Sequence, residues 1–193
     1  MSATNSLHYQ LCVEGAKWLH RKKHDYKKCD KRACYGKGFC RYCMAFKYVA
    51  VELCTYGTEQ ADVWGWNGNE TAVIEIKTTH SDFVADSKKW WRSKDSEESG
   101  LQAGVLRWYL CPADVISKDE LPEGWGLLYW NGKSIEHAVA PVPFKCTYWA
   151  DMRMIYSILR REKFPEQIFN YRGTNESIKP KVAIDYNTQI HWV

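Results

Sequence analysis

A four-residue segment that begins with Asn67-Gly68 separates two β-rich runs, and this arrangement restricts the possible folds more than any other feature. The runs are ADVWGW before Asn67 and TAVIEIKTT after Glu70. Asn and Gly accept the positive φ angles that a two-residue turn requires, so the pair is the strongest short-range signal for a β-hairpin. We therefore predict that these two runs form an antiparallel hairpin.

Further runs of β-branched and aromatic residues predict more strands, and the last two of these are joined across Asn131-Gly132. The runs are KYVAVELCTYG, VLRWYLCP, GWGLLYW and KSIEHAVA. Apolar spacing and capping residues predict helices over 11–23, 81–93 and 148–163; the last carries Met152, Ile155, Tyr156 and Leu159 at helical spacing. This order predicts an α/β fold with a mixed central sheet flanked by helices, although α+β also fits the pattern.

The length of 193 residues, with 45% hydrophobic and 26% charged residues, excludes collagen-like, coiled-coil and largely disordered chains. We expect one domain over 1–193, in which 165–193 form a C-terminal extension. No apolar run approaches the roughly 18–20 residues of a membrane span, and the N-terminus lacks the charged and apolar regions of a secretion signal. A cytoplasmic location without membrane contact is the resulting expectation.

The positive charge is concentrated in one segment. Residues 17–47 contain 11 Lys and Arg against two Asp, a local charge of +9, so the rest of the chain carries −5 within the net charge of +4. Clustered lysines and arginines suit a polyanion such as a nucleic acid, although a solvated lysine-rich surface would have the same composition. The candidate nucleic-acid contacts are Lys22, Lys23, Lys27, Lys28 and Arg32.

Half of the eight cysteines lie in the same segment, at Cys29, Cys34, Cys40 and Cys43. Four thiolates can complete a tetrahedral structural zinc site, and the pair separated by two residues has the spacing of half such a site. We predict a Zn²⁺ knuckle within an insertion over 24–46. An iron–sulfur cluster also uses four cysteines, and buried free thiols are the alternative without a metal. The other four cysteines are interpreted as small apolar residues.

A pair of carboxylates and a lysine follow the predicted hairpin. Residues two apart in a strand share a face, so Glu75 and Lys77 point to the same side, and Asp62 lies on the preceding strand. Two carboxylates and a backbone carbonyl such as that of Ile76 suit Mg²⁺ or Mn²⁺. Lys77 could orient an attacking water or neutralise charge on a phosphate. Alone, Glu-x-Lys is weak evidence, because exposed strands often carry such pairs.

Asp62, Glu75 and Lys77 in this setting resemble the signature of the PD-(D/E)XK nuclease superfamily. The segments GTEQADVWGW, IEIKTTHSDFVADSKKWW and WYLCPADVISKDELPEGWGLLYW are most similar to its MmcB-like family of DNA-repair-associated proteins. The resemblance implies a restriction-endonuclease-like core with the metal bound where the sheet splays. It also implies a metal-site glutamate on the first helix, for which Glu14 is the candidate and Glu52 a competitor. The Cys-rich insertion is not part of the family pattern.

The helix predicted over 81–93 places Lys88 and Arg92 four residues apart on one face, where they could follow a phosphate backbone. Tryptophan is unusually frequent, with 10 residues. We expect most of these side chains in the core, and we consider a few of them for stacking on bases. The expected core residues are Trp90, Trp108, Trp125 and Trp130, and the stacking candidates are Trp64, Trp66 and Trp91.

These features predict a divalent-metal-dependent endonuclease that hydrolyses DNA phosphodiester bonds in repair, recombination or the processing of mobile-element DNA. The main alternative is a nuclease-fold module without turnover that binds nucleic acid or a partner protein through its basic knuckle. RNA as the substrate and a protein as a partner are the further alternatives that fit the sequence.

Overall fold

The computed structural model describes residues 6–20, 46–92, 101–145 and 148–162, and the backbone of 168–169 and 177–178. Internal contacts define two units, 1–157 and 158–193. The predicted knuckle cysteines Cys29, Cys34, Cys40 and Cys43 lie outside the described residues, as do the basic candidates Lys22, Lys23, Lys27, Lys28 and Arg32.

Within the described residues, the first unit is an α/β structure built on a six-stranded mixed sheet whose spatial order follows the chain. Its strands are β1 (Tyr48–Leu53), β2 (Ala61–Trp66), β3 (Thr71–Ile76), β4 (Leu106–Pro112), β5 (Gly126–Trp130) and β6 (Ile135–Val139). The pairs β1–β2, β2–β3 and β5–β6 are antiparallel, whereas β3–β4 and β4–β5 are parallel. The second unit contains a two-stranded sheet of β7 (Ile168–Phe169) and β8 (Ser177–Ile178).

The described helices are α1 (Leu7–Leu19), α2 (His80–Asp86) and α3 (Trp149–Arg161), with 3₁₀ turns at Trp90–Arg92 and Lys118–Glu120. Helix α1 precedes the sheet in the chain, and α2 is part of the connection from β3 to the parallel strand β4. Among the described residues, no helix combines the length and the apolar character needed to cross a bilayer.

Both predicted hairpins form across their Asn-Gly pairs, but in each pair the glycine alone adopts a positive φ, and the first turn shows what the asparagine does instead. Asn67 Oδ1 accepts hydrogen bonds from the backbone N–H groups of Asn69, at 2.9 Å, and Glu70, at 2.8 Å. Gly68 has a φ of +98°, which a residue with a Cβ adopts only at a cost. The turn fixes the β2–β3 register, in which Val63 is opposite Ile74.

Two apolar cores lie on opposite faces of the sheet, as the alternation along β4 shows. Trp108 and Leu110 belong to the core that packs against α1, whereas Tyr109 and Cys111 belong to the core on the other face. Phe83 of α2 packs into this second core. Both faces of the central strands are therefore covered, which accounts for their nearly continuous apolar sequence.

The predicted helix boundaries are corrected in two places. The first helix runs from Leu7 to Leu19 and not over 11–23. The helix expected over 81–93 begins at His80, where the Thr79 hydroxyl caps Asp82 N–H, and ends at Asp86. The chain then turns, because the Asp86 side chain is directed into a buried ionic cluster described below.

Some tryptophan assignments are also corrected. Trp64, considered for base stacking, is completely buried, and its indole N–H donates to Asp151 Oδ1 at 2.8 Å. Trp90, expected in the core, is 58% exposed. Trp66 stacks on Tyr48 with ring centroids 5.4 Å apart. Trp108 and Trp125 are buried as expected.

Candidate active site

The β2–β3 hairpin brings Asp62 and Glu75 together. Asp62 directly precedes Val63, and Glu75 directly follows the opposing Ile74. Asp62 Oδ2 accepts a hydrogen bond from the backbone N–H of Ile76 at 2.7 Å, so the carboxylate is fixed across the hairpin. The Asp62 side chain is 22% exposed, whereas Glu75 is buried. One carboxylate is thus partly exposed to solvent, and the other is buried.

Lys77 follows the end of β3 and lies close to two acids. Its Nζ donates to Glu75 Oε2 at 3.3 Å and to Asp86 Oδ1 at 2.9 Å, and its backbone N–H donates to Leu110 O at 3.0 Å. Burial lowers the pKa of Lys77, but the attraction of Glu75 and Asp86 outweighs burial and leaves this pKa raised. The ammonium is therefore held in its charged form.

Asp86 accepts from four donors and anchors the basic side of the site. Beyond Lys77, these donors are Lys89 Nζ at 2.7 Å, Arg92 Nε at 2.8 Å and the Tyr109 hydroxyl at 2.9 Å. Burial alone would raise the pKa of Asp86, but the positive charges, Arg92 first, hold it well below its usual range. The Asp86 carboxylate thus stays ionised in the interior.

Arg92 is directed inward, away from the position expected for a phosphate contact. Its guanidinium pairs with Glu59, and its Nη2 lies 3.5 Å from Glu75 Oε2. The same guanidinium lies 4.7 Å above the ring centroid of Trp125. Lys88 is exposed, and the two bases do not share a helix face, because α2 ends at Asp86. The track of Lys88 and Arg92 along one helix is therefore not formed.

Glu75 combines burial with an incomplete set of partners. Among the described residues, its Oε1 is a buried oxygen without a hydrogen-bond partner. Burial, and secondly the negative charge of Asp62, raise the pKa of Glu75 to about 7. Two neighbouring carboxylates that repel each other, with one oxygen unused, are the donor set that a divalent cation would stabilise.

Helix α1 reaches the site through His8 and not through Glu14. His8 Nε2 lies 3.5 Å from Asp62 Oδ1, whereas Glu14 pairs with Lys17 at 2.7 Å. Six residues along a helix rotate a side chain by about 240°, so His8 and Glu14 point in different directions. The hydrogen bond to Asp62 outweighs burial and raises the pKa of His8.

Cys12 and Glu52 complete this side of the site. Cys12 Sγ lies 3.6 Å from His8 Nδ1, and Glu52 Oε1 lies 3.9 Å from the same nitrogen. Cys12 is buried, and desolvation, assisted by the nearby carboxylates, raises the pKa of its thiol to about 12. Glu52 thus approaches the site that Glu14 was expected to reach.

The sequence pattern did not identify His8, Glu59 or the central role of Asp86. The spacing of His8 and Cys12, four residues apart on a helix, was the one local signal available for the first of these. Glu59 precedes β2 in a loop, and only the packing of Arg92 and Arg107 around it reveals its place.

No protein-family model and no curated protein matches this chain. A solved structure of a protein of unknown function from Silicibacter pomeroyi is similar, with 21% identity and a TM-score of 0.44. The similarity covers 60% of this chain and 76% of that protein. A likeness of this size carries no functional argument.

Proposed function

We propose that this protein is a divalent-metal-dependent nuclease of the PD-(D/E)XK type that hydrolyses DNA phosphodiester bonds. The observation that carries the proposal is buried Glu75, whose Oε1 lacks a partner among the described residues. The ammonium of Lys77 contacts its other oxygen, and the charge of Asp62 acts on it from the neighbouring strand. Structural ion pairs alone would be expected to satisfy both oxygens of a buried carboxylate.

The donor set fits Mg²⁺ or Mn²⁺, which prefer oxygen ligands and retain several waters. Asp62, Glu75 and the carbonyl of Ile76 would hold the ion. Such an ion supplies charge neutralisation at the phosphate and a water of lowered pKa. The partial exposure of Asp62 gives solvent and substrate access to this side of the pair.

Lys77 is suited to electrostatic stabilisation and not to proton abstraction. Glu75 and Asp86 hold its ammonium in place and keep it charged. A fixed positive charge can stabilise the negative charge that develops on a phosphate during attack. Asp86 acts as the positioning residue for Lys77, and Tyr109 and Arg92 in turn hold Asp86.

The topology supports the same proposal. The chain order α1, β1, β2, β3, α2, β4 contains two antiparallel pairings followed by a parallel crossover. This agrees with the helix, mixed sheet and second helix that a restriction-endonuclease-like core contains. The candidate carboxylates lie on the antiparallel strands β2 and β3, at the end where the β2–β3 pairing stops.

In this proposal the basic segment over 17–47 binds the nucleic acid, and its four cysteines hold a structural Zn²⁺. The local charge of +9 suits phosphate contacts, and a zinc knuckle would keep the lysine and arginine side chains close together. The exposed side chain of Lys88 would add a further basic contact to the nucleic acid.

A cleavage screen tests the proposal. The full-length protein is incubated with Mg²⁺ or Mn²⁺ and with supercoiled, linear, single-stranded and branched DNA, and with RNA. We expect metal-dependent cleavage of a DNA substrate that Asp62→Asn and Lys77→Met abolish while both variants stay folded by circular dichroism. Tight DNA binding by the wild type without cleavage of any substrate would instead support the binding module.

A further inference from the structure

A second group of metal-ligating side chains lies beside the proposed magnesium site and is chemically different from it. His8 Nδ1, Cys12 Sγ and a carboxylate oxygen of Glu52 all lie within 4.8 Å of one another. The proposed magnesium site offers oxygen atoms alone, whereas this group offers nitrogen, sulfur and oxygen. Mixed donors of this kind suit Zn²⁺ and not Mg²⁺.

The spacing of the donors is close to that of a tetrahedral centre. Zinc bonds of 2.0–2.3 Å place neighbouring ligand atoms about 3.3–3.8 Å apart. Cys12 Sγ is 3.6 Å from His8 Nδ1, and Glu52 Oε1 is 3.9 Å from the same nitrogen. Only small side-chain movements are needed to bring all three donors into zinc-binding range.

The other nitrogen of His8 has the partner that a ligating histidine usually has. His8 Nε2 faces Asp62 Oδ1 at 3.5 Å, while Nδ1 faces the cysteine and the glutamate. A histidine that ligates a metal typically donates its second ring N–H to a carboxylate, which fixes the tautomer and the orientation of the ring. Asp62 would therefore orient His8 for a metal bound at Nδ1.

The third donor, Glu52, lies on strand β1 in an unusual backbone conformation. Glu52 has a φ of +50°, although it lies within β1. The β1–β2 register passes from Val51 opposite Val63 to Leu53 opposite Ala61. A side chain with a Cβ adopts this conformation at a cost of about 1–2 kcal/mol. The Glu52 side chain is 55% exposed, so the group is open to solvent on one side.

From these contacts we infer that His8 Nδ1, Cys12 Sγ and Glu52 form a Zn²⁺ site, with Asp62 as the positioning residue of His8. Three protein ligands leave one coordination position for water or a substrate, as in zinc sites that are not purely structural. This site is separate from the predicted four-cysteine knuckle, and it does not depend on nuclease activity.

Zinc stoichiometry tests the inference on the full-length chain. The protein is stripped of metal with a chelator, loaded with Zn²⁺, dialysed and analysed for zinc. We expect His8→Gln and Cys12→Ser to hold one zinc fewer per chain than the wild type and than Cys111→Ser. Cys111 is the matched control because it is also a buried thiol, but it lies in the core that contains Phe83 and Trp125. The comparison holds whatever number of ions the knuckle binds.

Affinity measurements separate the ligands from the positioning residue. We expect Asp62→Asn to retain the zinc number of the wild type and to bind Zn²⁺ about 10–100-fold more weakly. Titration with Co²⁺ should give a visible spectrum that His8→Gln and Glu52→Gln change and Cys111→Ser does not. Both His8 and Glu52 are partly exposed, so these variants test the site even where Cys12→Ser fails to fold. Equal zinc numbers and unchanged cobalt spectra in folded His8→Gln and wild type would overturn the inference.

Discussion

Asp86 is the residue that holds the three cationic side chains of the candidate site, Lys77, Lys89 and Arg92. Its buried carboxylate accepts from Lys77, Lys89, Arg92 and Tyr109, and its pKa is held far below the usual range. Because folding lowers this pKa, the stabilisation is present above the unfolded value of about 3.9 and is lost as the pH falls below it.

We predict that Asp86→Asn lowers the free energy of unfolding by about 3–5 kcal/mol, because buried positive charges lose their counterion. Urea denaturation at neutral pH measures the change. Asp82→Asn, on the exposed face of the same helix, should change the free energy by less than about 1 kcal/mol. Equal effects of the two substitutions would contradict the assigned role of Asp86.

Glu75 should make the stability of the metal-free protein depend on pH in the opposite sense. Burial and Asp62 raise its folded pKa to about 7, above the unfolded value of about 4.3. Its contribution to stability is fully present below the unfolded pKa and is lost as the pH rises through the folded one. Glu75→Gln should therefore gain stability relative to the wild type between about pH 4.5 and 7, by up to about 1.4 kcal/mol per pH unit. A pH-independent difference in chelator-treated samples would show that Glu75 ionises normally.

For single residues, local spacing predicted that Asp62, Glu75 and Lys77 lie close together, because all three belong to one hairpin or directly follow it. The partners of these residues were not predictable in the same way. Arg92 reaches Glu59 across 33 residues of sequence, and His8 reaches Asp62 across 54. Such contacts depend on how helices dock on the sheet, which no local pattern encodes.

Among the elements, strand β4 is positioned by the segment that precedes it. This segment packs closely against β3 at Gly104. Gly104 has a φ of +79°, and a Cβ there would lie 2.8 Å from Val73 Cγ2 and 3.0 Å from Val73 N. We predict that Gly104→Ala lowers the free energy of unfolding by about 2–5 kcal/mol, from backbone strain and overpacking together.

Gly68→Ala is the control for this prediction. Gly68 has a φ of +98°, but a Cβ there would meet nothing within 4 Å. Its cost should be limited to the backbone conformation, about 1–2 kcal/mol. Denaturation curves that place the two variants at the same stability would argue against close packing of Gly104 on β3.

Helix α3 buries a different face from the one that its apolar spacing suggested. Met154 is fully buried, whereas Met152 and Tyr156 are 64% and 66% exposed. The buried Asp151 selects this face, because its carboxylate accepts from Trp64, Thr71 and Gly104. Polar anchoring thus overrides the apolar pattern.

This orientation predicts unequal effects for two methionines of the same helix. Met154→Ala should cost about 2–5 kcal/mol, because it leaves a cavity in a packed interior. Met152→Ala should change the free energy of unfolding by less than about 0.5 kcal/mol. Thermal or urea denaturation of the pair decides the matter, and a larger loss at Met152 would mean that the exposed face is the one that packs.

The strands were predictable as elements because each is a run of β-branched or aromatic residues, and Asn-Gly signals mark the β2–β3 and β5–β6 hairpins. Helix ends were less predictable. The run after Asp86 continues with residues compatible with a helix, yet the chain turns there, because Lys89 and Arg92 satisfy the buried Asp86 carboxylate. Tertiary electrostatics, and not propensity, end this helix.

For the whole molecule, the small net charge of +4 combines two separate charge distributions. The basic segment, 17–47, suits a polyanion, and the acidic remainder contains the carboxylates of the candidate site. The proposed division of labour, with binding by the first and hydrolysis at the second, follows from this separation. The positions of the charged residues along the sequence showed the separation of the basic segment from the acidic remainder. The ionic cluster around Glu75 was visible only in the fold.

The central claim is that buried Glu75 helps to hold a divalent cation for DNA cleavage, and two conservative substitutions on one hairpin test it most directly. Glu75→Gln removes the charge at the site, and Glu70→Gln removes a similar charge at the turn end of the same hairpin. We predict that, on the substrate cleaved by the wild type, Mg²⁺-dependent cleavage falls by about 100-fold or more in folded Glu75→Gln and is retained by Glu70→Gln. Cleavage by Glu75→Gln at the wild-type rate would contradict the account.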